Sequence, residues 1–154
     1  VSEPPRRLVV GVGNPDRGDD GAGRLVARLL RGRVPADVRI EEQAGGAADL
    51  IELLQQVDCV ILVDAAVSGA PPGTVHRLDC RAGDVVPESG GASSHGFGVA
   101  QAIALAAALS CLPRMCVVYA IEGASFAVGG AMSGEVVASA EQAVRLIVAE
   151  LTAG

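Results

Sequence analysis

Asp19 and Asp20 stand side by side in the run GVGNPDRGDDGAG, Gly11 to Gly23, where an apolar stretch gives way to helical spacing. A turn that cradles phosphate supplies glycine amides and a cation, whereas this one presents negative charge, so it is suited to a cation. A third acid, Asp64, closes the apolar run CVILV, and His95 sits in SSHGFG just before another apolar segment. Two carboxylates and one imidazole around an open position form a donor set for a borderline divalent ion such as nickel or zinc. Each member also has an ordinary use. One Asp of the pair would cap the following helix, worth about 1 kcal/mol. Asp64 could simply start a loop, and His95 could be a surface histidine among glycines and serines. A single cap leaves the second Asp as a surplus for chemistry to explain; Asp20 is taken as the ligand, with Asp16 and Asp19 as groups that support it or cap the helix.

For Asp20, Asp64 and His95 to meet, the chain must bring together positions 44 and then 31 residues apart. Arg7 to Val12 reads as a buried strand. Gly21 to Arg31 carries Ala22, Leu25, Val26, Leu29 and Leu30 at helical spacing, with Asp19 or Asp20 as its cap. Val38 to Glu42 is a second strand, Ala47 to Gln56 a second helix, and Cys59 to Val63 a fully buried strand ending at Asp64. Strands at Thr74 to Leu78 and Met115 to Ile121, and helices at Gly98 to Ser110 and Ser133 to Leu151, complete the pattern. Alternation with right-handed crossovers gives a three-layer α/β/α domain: a mostly parallel, five-stranded twisted sheet with helices on both faces. With strands ordered 2-1-3, Asp20 and Asp64 flank one crevice at the carboxyl ends of neighbouring strands, and the loop carrying His95 can reach it.

The bounds set by composition agree. The 154 residues are expected to form one domain, with residues 1–6 as a flexible lead-in. Half the residues are apolar but only three are aromatic, so the core must be aliphatic. A net charge of −6 and scattered arginines argue against nucleic acid. No segment reaches the roughly 20 apolar residues of a membrane span, and no secretory leader is recognised, so the expected location is the cytoplasm. Cys59, Cys80, Cys111 and Cys116 form no CxxC pair and read as free thiols of a reduced compartment. No long exposed apolar helix face calls for a partner, and a monomer is expected.

Other motifs fail. Gly11-Val12-Gly13 begins a dinucleotide fingerprint, but position 16 is Asp where the third glycine belongs. Gly13 and Gly18 have the gap of a phosphate-binding loop, yet Asp19 and Asp20 replace its Lys and Ser/Thr. No G-x-S-x-G elbow occurs. His76 lies within the fourth strand without an acidic partner legible from its neighbours and is read as structural.

Three blocks in order, GVGNPDRGDDGAG, ILVDAAVSGAPPGTV and SSHGFGV, resemble those of the nickel-iron hydrogenase maturation proteases. The resemblance implies a mostly parallel sheet between helices and an endopeptidase that removes a C-terminal peptide from a hydrogenase large-subunit precursor after nickel insertion. It places Asp20, Asp64 and His95 at the positions of the family's proposed nickel ligands, which here serve as both catalytic and metal-recognising residues. No tightly bound cofactor is implied, because nickel is presented by the substrate. The chain departs from the family's Asp-Gly-Gly-Thr type segment after the second strand: it reads QAGGAAD from Gln43 to Asp49, keeping Gly45 and Gly46 but not the Asp and Thr. Two alternatives stay open: a metallohydrolase with resident zinc or nickel, and a metal-sensing or chaperone module that cuts nothing.

Overall fold

The computed structural model describes residues 5–89 and 98–153. Five strands, β1 (Arg7–Val12), β2 (Val38–Gln43), β3 (Cys59–Ala66), β4 (Val75–Asp79) and β5 (Met115–Glu122), form one sheet in the order β2-β1-β3-β5-β4. Every pairing is parallel except β4 with β5, so the antiparallel strand lies at an edge. The helices are α1 (Ala22–Leu30), α2 (Ala47–Leu54), α3 (Val99–Ala108) and α4 (Gly134–Thr152). The expected α/β architecture and the 2-1-3 order are therefore both present.

Strand alternation sends successive side chains to opposite faces, and each face has its own core. Val9, Ile61, Val63, Val117 and Ile121 pack with Val26 and Leu30 of α1 and Ala140, Val144 and Ile147 of α4. Leu8, Val10, Val60, Leu62 and Val118 pack with Leu50 and Leu54 of α2 and Ala102 and Ala106 of α3. With both faces covered, β1, β3 and β5 are almost continuously apolar, which is why these runs are legible without an alternating pattern.

The approach of α1 to the sheet depends on glycine. A Cβ on Gly23 would lie 2.2 Å from the Val63 carbonyl oxygen and 2.5 Å from that of Val12. The helix start thus sits directly on β1 and β3, at the place where the chain's path across the sheet reverses. Such reversals leave a crevice beyond the carboxyl ends of the two strands.

Most element ends fall within one or two residues of expectation, and two differences bear on the site. β3 does not end at Asp64 but continues to Ala66, because Asp64, Ala65 and Ala66 pair in register with Ala120, Ile121 and Glu122 of β5, itself one residue longer than expected. The α1 helix is not capped by an aspartate. Residues Gly18–Gly21 form a 3-10 turn that feeds into it, Gly21 occupies the cap position, and no side chain caps either element. Both acids of the pair are engaged elsewhere.

Candidate functional site

The crevice between β1 and β3 is an open cleft of about 550 Å³, walled by the Val12–Arg17 turn, Asp20, Arg24, Ala44, Gly45, Asp64, Ser89 and Gly98. Asp20 and Asp64 meet in it despite their sequence separation, and they are only 5% and 4% exposed. His95, the third expected member, lies outside the described residues, but Ser89 and Gly98, on either side of residues 90–97, both line the cleft. Among the described residues no group of three His, Cys, Asp or Glu side chains converges as a metal site.

Local backbone geometry aims Asp20. Gly13 has φ +141°, a conformation L side chains rarely adopt, and a Cβ there would come within 2.0 Å of the Asp20 carbonyl oxygen. The Gly-Asn step can therefore wrap closely around Asp20, and the Asn14 amide donates to Asp20 Oδ2 at 2.9 Å. Asp64 is aimed by its strand. Its Oδ1 accepts from the Ala65 amide at 2.8 Å, and its Oδ2 accepts from the Ser89 hydroxyl. Ser89 is brought there by a short antiparallel pairing with Ala66, which adds residues 88–89 to the extended end of β3.

Burial raises the Asp64 pKa to about 7; the negative charge of Asp20 pushes the same way, and the hydrogen bonds from Ser89 and Ala65 oppose it. Asp64 is thus poised to exchange a proton near neutrality. Opposite charge arriving between the two acids would favour its ionised form.

Asp19 faces away from this exchange. It is fully buried and accepts from the amides of Ala124, Ser125 and Ser133 at 2.7, 3.0 and 2.7 Å, and from the Ser133 hydroxyl. Burial alone would raise its pKa, but these bonds outweigh it and hold the carboxyl below its usual value. Asp19 is therefore a clamp on the segment between β5 and α4, not a helix cap.

His76 also departs from the sequence reading, for it has an acidic partner. Its Nε2 lies 3.3 Å from Oε1 of Glu122, which is 2% exposed and also accepts from the amide and hydroxyl of Ser68. Glu122 follows the apolar run of β5, and nothing local identifies its partners. Ser89 was likewise missed, as one serine among several in a polar loop.

A cleft at the carboxyl edge of a parallel sheet, with two buried carboxylates, one in the turn after β1 and one on β3, defines an α/β protein whose site has the chemistry for proton transfer or cation binding. Comparison with known proteins narrows the class. The family model described as hydrogenase maturation protease matches residues 24–150. The chain is 33% identical over 153 residues to the hydrogenase expression/formation protein HupM of Azotobacter chroococcum mcd 1, covering 96% of this chain and 72% of that one. It is 33% identical over 148 residues to HoxM of Azotobacter vinelandii, covering 92% and 70%. Among solved structures, it resembles the hydrogenase maturating endopeptidase HybD of Escherichia coli with a TM-score of 0.76 at 23% identity, covering 95% and 91% of the two chains. It also resembles the nickel-iron hydrogenase maturation protease HycI of Thermococcus kodakarensis KOD1, with a TM-score of 0.69 at 26% identity over 97% and 94%. The chain belongs to the hydrogenase maturation protease family, whose members are endopeptidases. The family-model match begins after Asp20 and spans positions 64 and 95, while the alignment to HupM covers 96% of the chain.

Proposed function

We propose that this protein removes a C-terminal peptide from the large-subunit precursor of a nickel-iron hydrogenase, and that Asp20, Asp64 and His95 recognise the nickel already seated in that precursor. The observation that supports this most is the meeting of Asp20 and Asp64 in one open cleft. Nickel belongs to the substrate here, and no resident cofactor is required. Burial and the neighbouring Asp20 charge favour the neutral form of Asp64, and a nickel-bearing substrate would favour its carboxylate, since a metal binds the deprotonated ligand. The bound ion would polarise the scissile carbonyl or acidify a water beside it. The acidic chain, with its net charge of −6, suits a protein substrate rather than nucleic acid, and no helix among the described residues is long and apolar enough to cross a membrane. We take it to act as a monomeric single domain in the cytoplasm.

The test is incubation of the purified protein with candidate large-subunit precursors, with and without nickel, followed by intact-mass measurement. Loss of a C-terminal peptide from the loaded form alone is expected. Asp20→Asn, Asp64→Asn and His95→Ala should each abolish it; intact cleavage by all three would overturn the assignment. Stoichiometric metal in protein purified without chelator would favour a resident-metal hydrolase instead.

A further inference from the structure

Arg17 stands three residues before Asp20, and its carbonyl accepts the Asp20 amide at 3.1 Å. Arg17 lines the same cleft as Asp20 and Asp64. The Arg17 Nε is buried and has no hydrogen-bond partner. None of the ion pairs among the described residues includes Arg17. The other arginine on the cleft wall is already engaged: Arg24 donates from Nε to the Gly13 carbonyl at 2.8 Å and lies 3.7 Å from Glu42.

Buried polar hydrogens in folded proteins are almost all bonded, so an orphaned one on an arginine of the cleft wall points to a partner from outside the chain. A guanidinium has donors and no acceptor, which restricts that partner to an acceptor group. The cation shares its cleft with Asp16, Asp20 and Asp64, so Arg17 also supplies the positive charge that would keep an incoming oxygen from being repelled.

We infer that Arg17 is a docking residue, donating hydrogen bonds to an acceptor oxygen of the substrate polypeptide and holding it beside Asp20 and Asp64. The inference rests on the proposed function, since it takes a polypeptide to be what enters the cleft. The oxygen belongs either to an acidic side chain of the peptide to be removed or to its main chain; a guanidinium fork serves both. An arginine in a polar turn is ordinary in sequence, and only its lack of side-chain partners within the fold distinguishes Arg17.

The experiment is steady-state cleavage of nickel-loaded precursor by wild type, Arg17→Met and Arg17→Lys. Loss of a charged hydrogen bond should raise KM about tenfold or more in Arg17→Met, with kcat changed by less than about threefold because the group docks rather than reacts. Arg17→Lys should recover part of the loss, keeping the charge without the fork. A second precursor, with the acidic residues of its C-terminal extension changed to amides, separates the two sources of oxygen. An equal rise in wild-type KM with no further rise in Arg17→Met assigns a side-chain carboxylate, and an unchanged wild-type KM assigns a main-chain carbonyl. If Arg17→Met melts with wild type and its KM stays within about twofold, docking by Arg17 is overturned while the peptidase reading stands. If wild type leaves every loaded precursor uncut, the peptidase reading itself fails and takes this inference with it.

Discussion

The carboxylate of Asp19 is hydrogen-bonded to both the amide and the hydroxyl of Ser133, a residue 114 positions away at the start of α4. The same carboxylate accepts the amides of Ala124 and Ser125, so one buried side chain ties the turn carrying Asp20 to the segment that follows β5. Removing it leaves three backbone donors without their acceptor, and Asp19→Ala should lose about 3 kcal/mol or more of stability, measured by urea denaturation at pH 7. The deficit should shrink in acid. A carboxyl whose folded pKa is depressed contributes its stability above the unfolded value near 4, and that contribution is lost as pH falls through the lower folded value. A deficit that stays constant down to pH 2 would show that Asp19 acts through packing alone.

Asp64 should behave in the opposite sense. Its folded pKa of about 7 exceeds the unfolded value near 4, so the folded state binds the extra proton between those limits. Stability from this group is full below about pH 4 and is lost as pH rises through 7. Asp64→Asn removes the buried charge, so its Tm relative to wild type should be higher at pH 8 than at pH 5. In the proposed mechanism it also abolishes cleavage, a gain in stability at the expense of function. An unchanged Tm difference across this pH range would count against a neutral-range titration of Asp64.

How far the fold and cleft can be read from sequence follows from where each residue's partners lie. β1 and the first five residues of β3 are apolar runs covered on both faces, and α1 and α4 carry their inward residues at helical spacing, so local pattern suffices. Asp20 and Asp64 were legible because alternating strands and helices, together with the handedness of crossovers, place two acids at one switch point. Asp19, Glu122 and Ser89 were not. Their roles are set by partners 105, 54 and 25 positions away, on segments with no local signature of the contact. The ends of β3 and β5 were misjudged for a related reason: Asp64 looks like a terminator alone, yet the ladder opposite Ala120 carries the strand two residues further.

Glu122 is a buried carboxylate outside the cleft. It joins Ser68, in the connection after β3, to His76 of β4. Glu122→Ala should cost about 2 kcal/mol, because the Ser68 amide loses its buried acceptor. His76→Ala should cost less, since the ring is 27% exposed and water can replace part of its contact. The ordering is the test. A greater loss from His76→Ala, measured as ΔG from denaturant titration, would mean that the Ser68 contact is not what holds the connection.

Gly23 and Gly134 make the sharpest contrast in packing, since both lie in helices and alanine favours helices over glycine. At Gly134 nothing stands within 4 Å of an added Cβ, so Gly134→Ala should stabilise by about 0.5 kcal/mol through reduced unfolded-chain entropy. At Gly23 the same methyl would press on the Val63 and Val12 carbonyl oxygens, which belong to the two strands flanking the cleft and cannot swing aside like a side chain. Gly23→Ala should therefore destabilise by about 3 kcal/mol as α1 is forced off the sheet. Because α1 follows directly from the turn that carries Asp20, the displacement should also reach the cleft, and precursor cleavage should fall further than stability alone explains at temperatures well below the melting transition. Equal stability of the two alanine variants would show that α1 is not seated on β1 and β3 as closely as the backbone geometry requires.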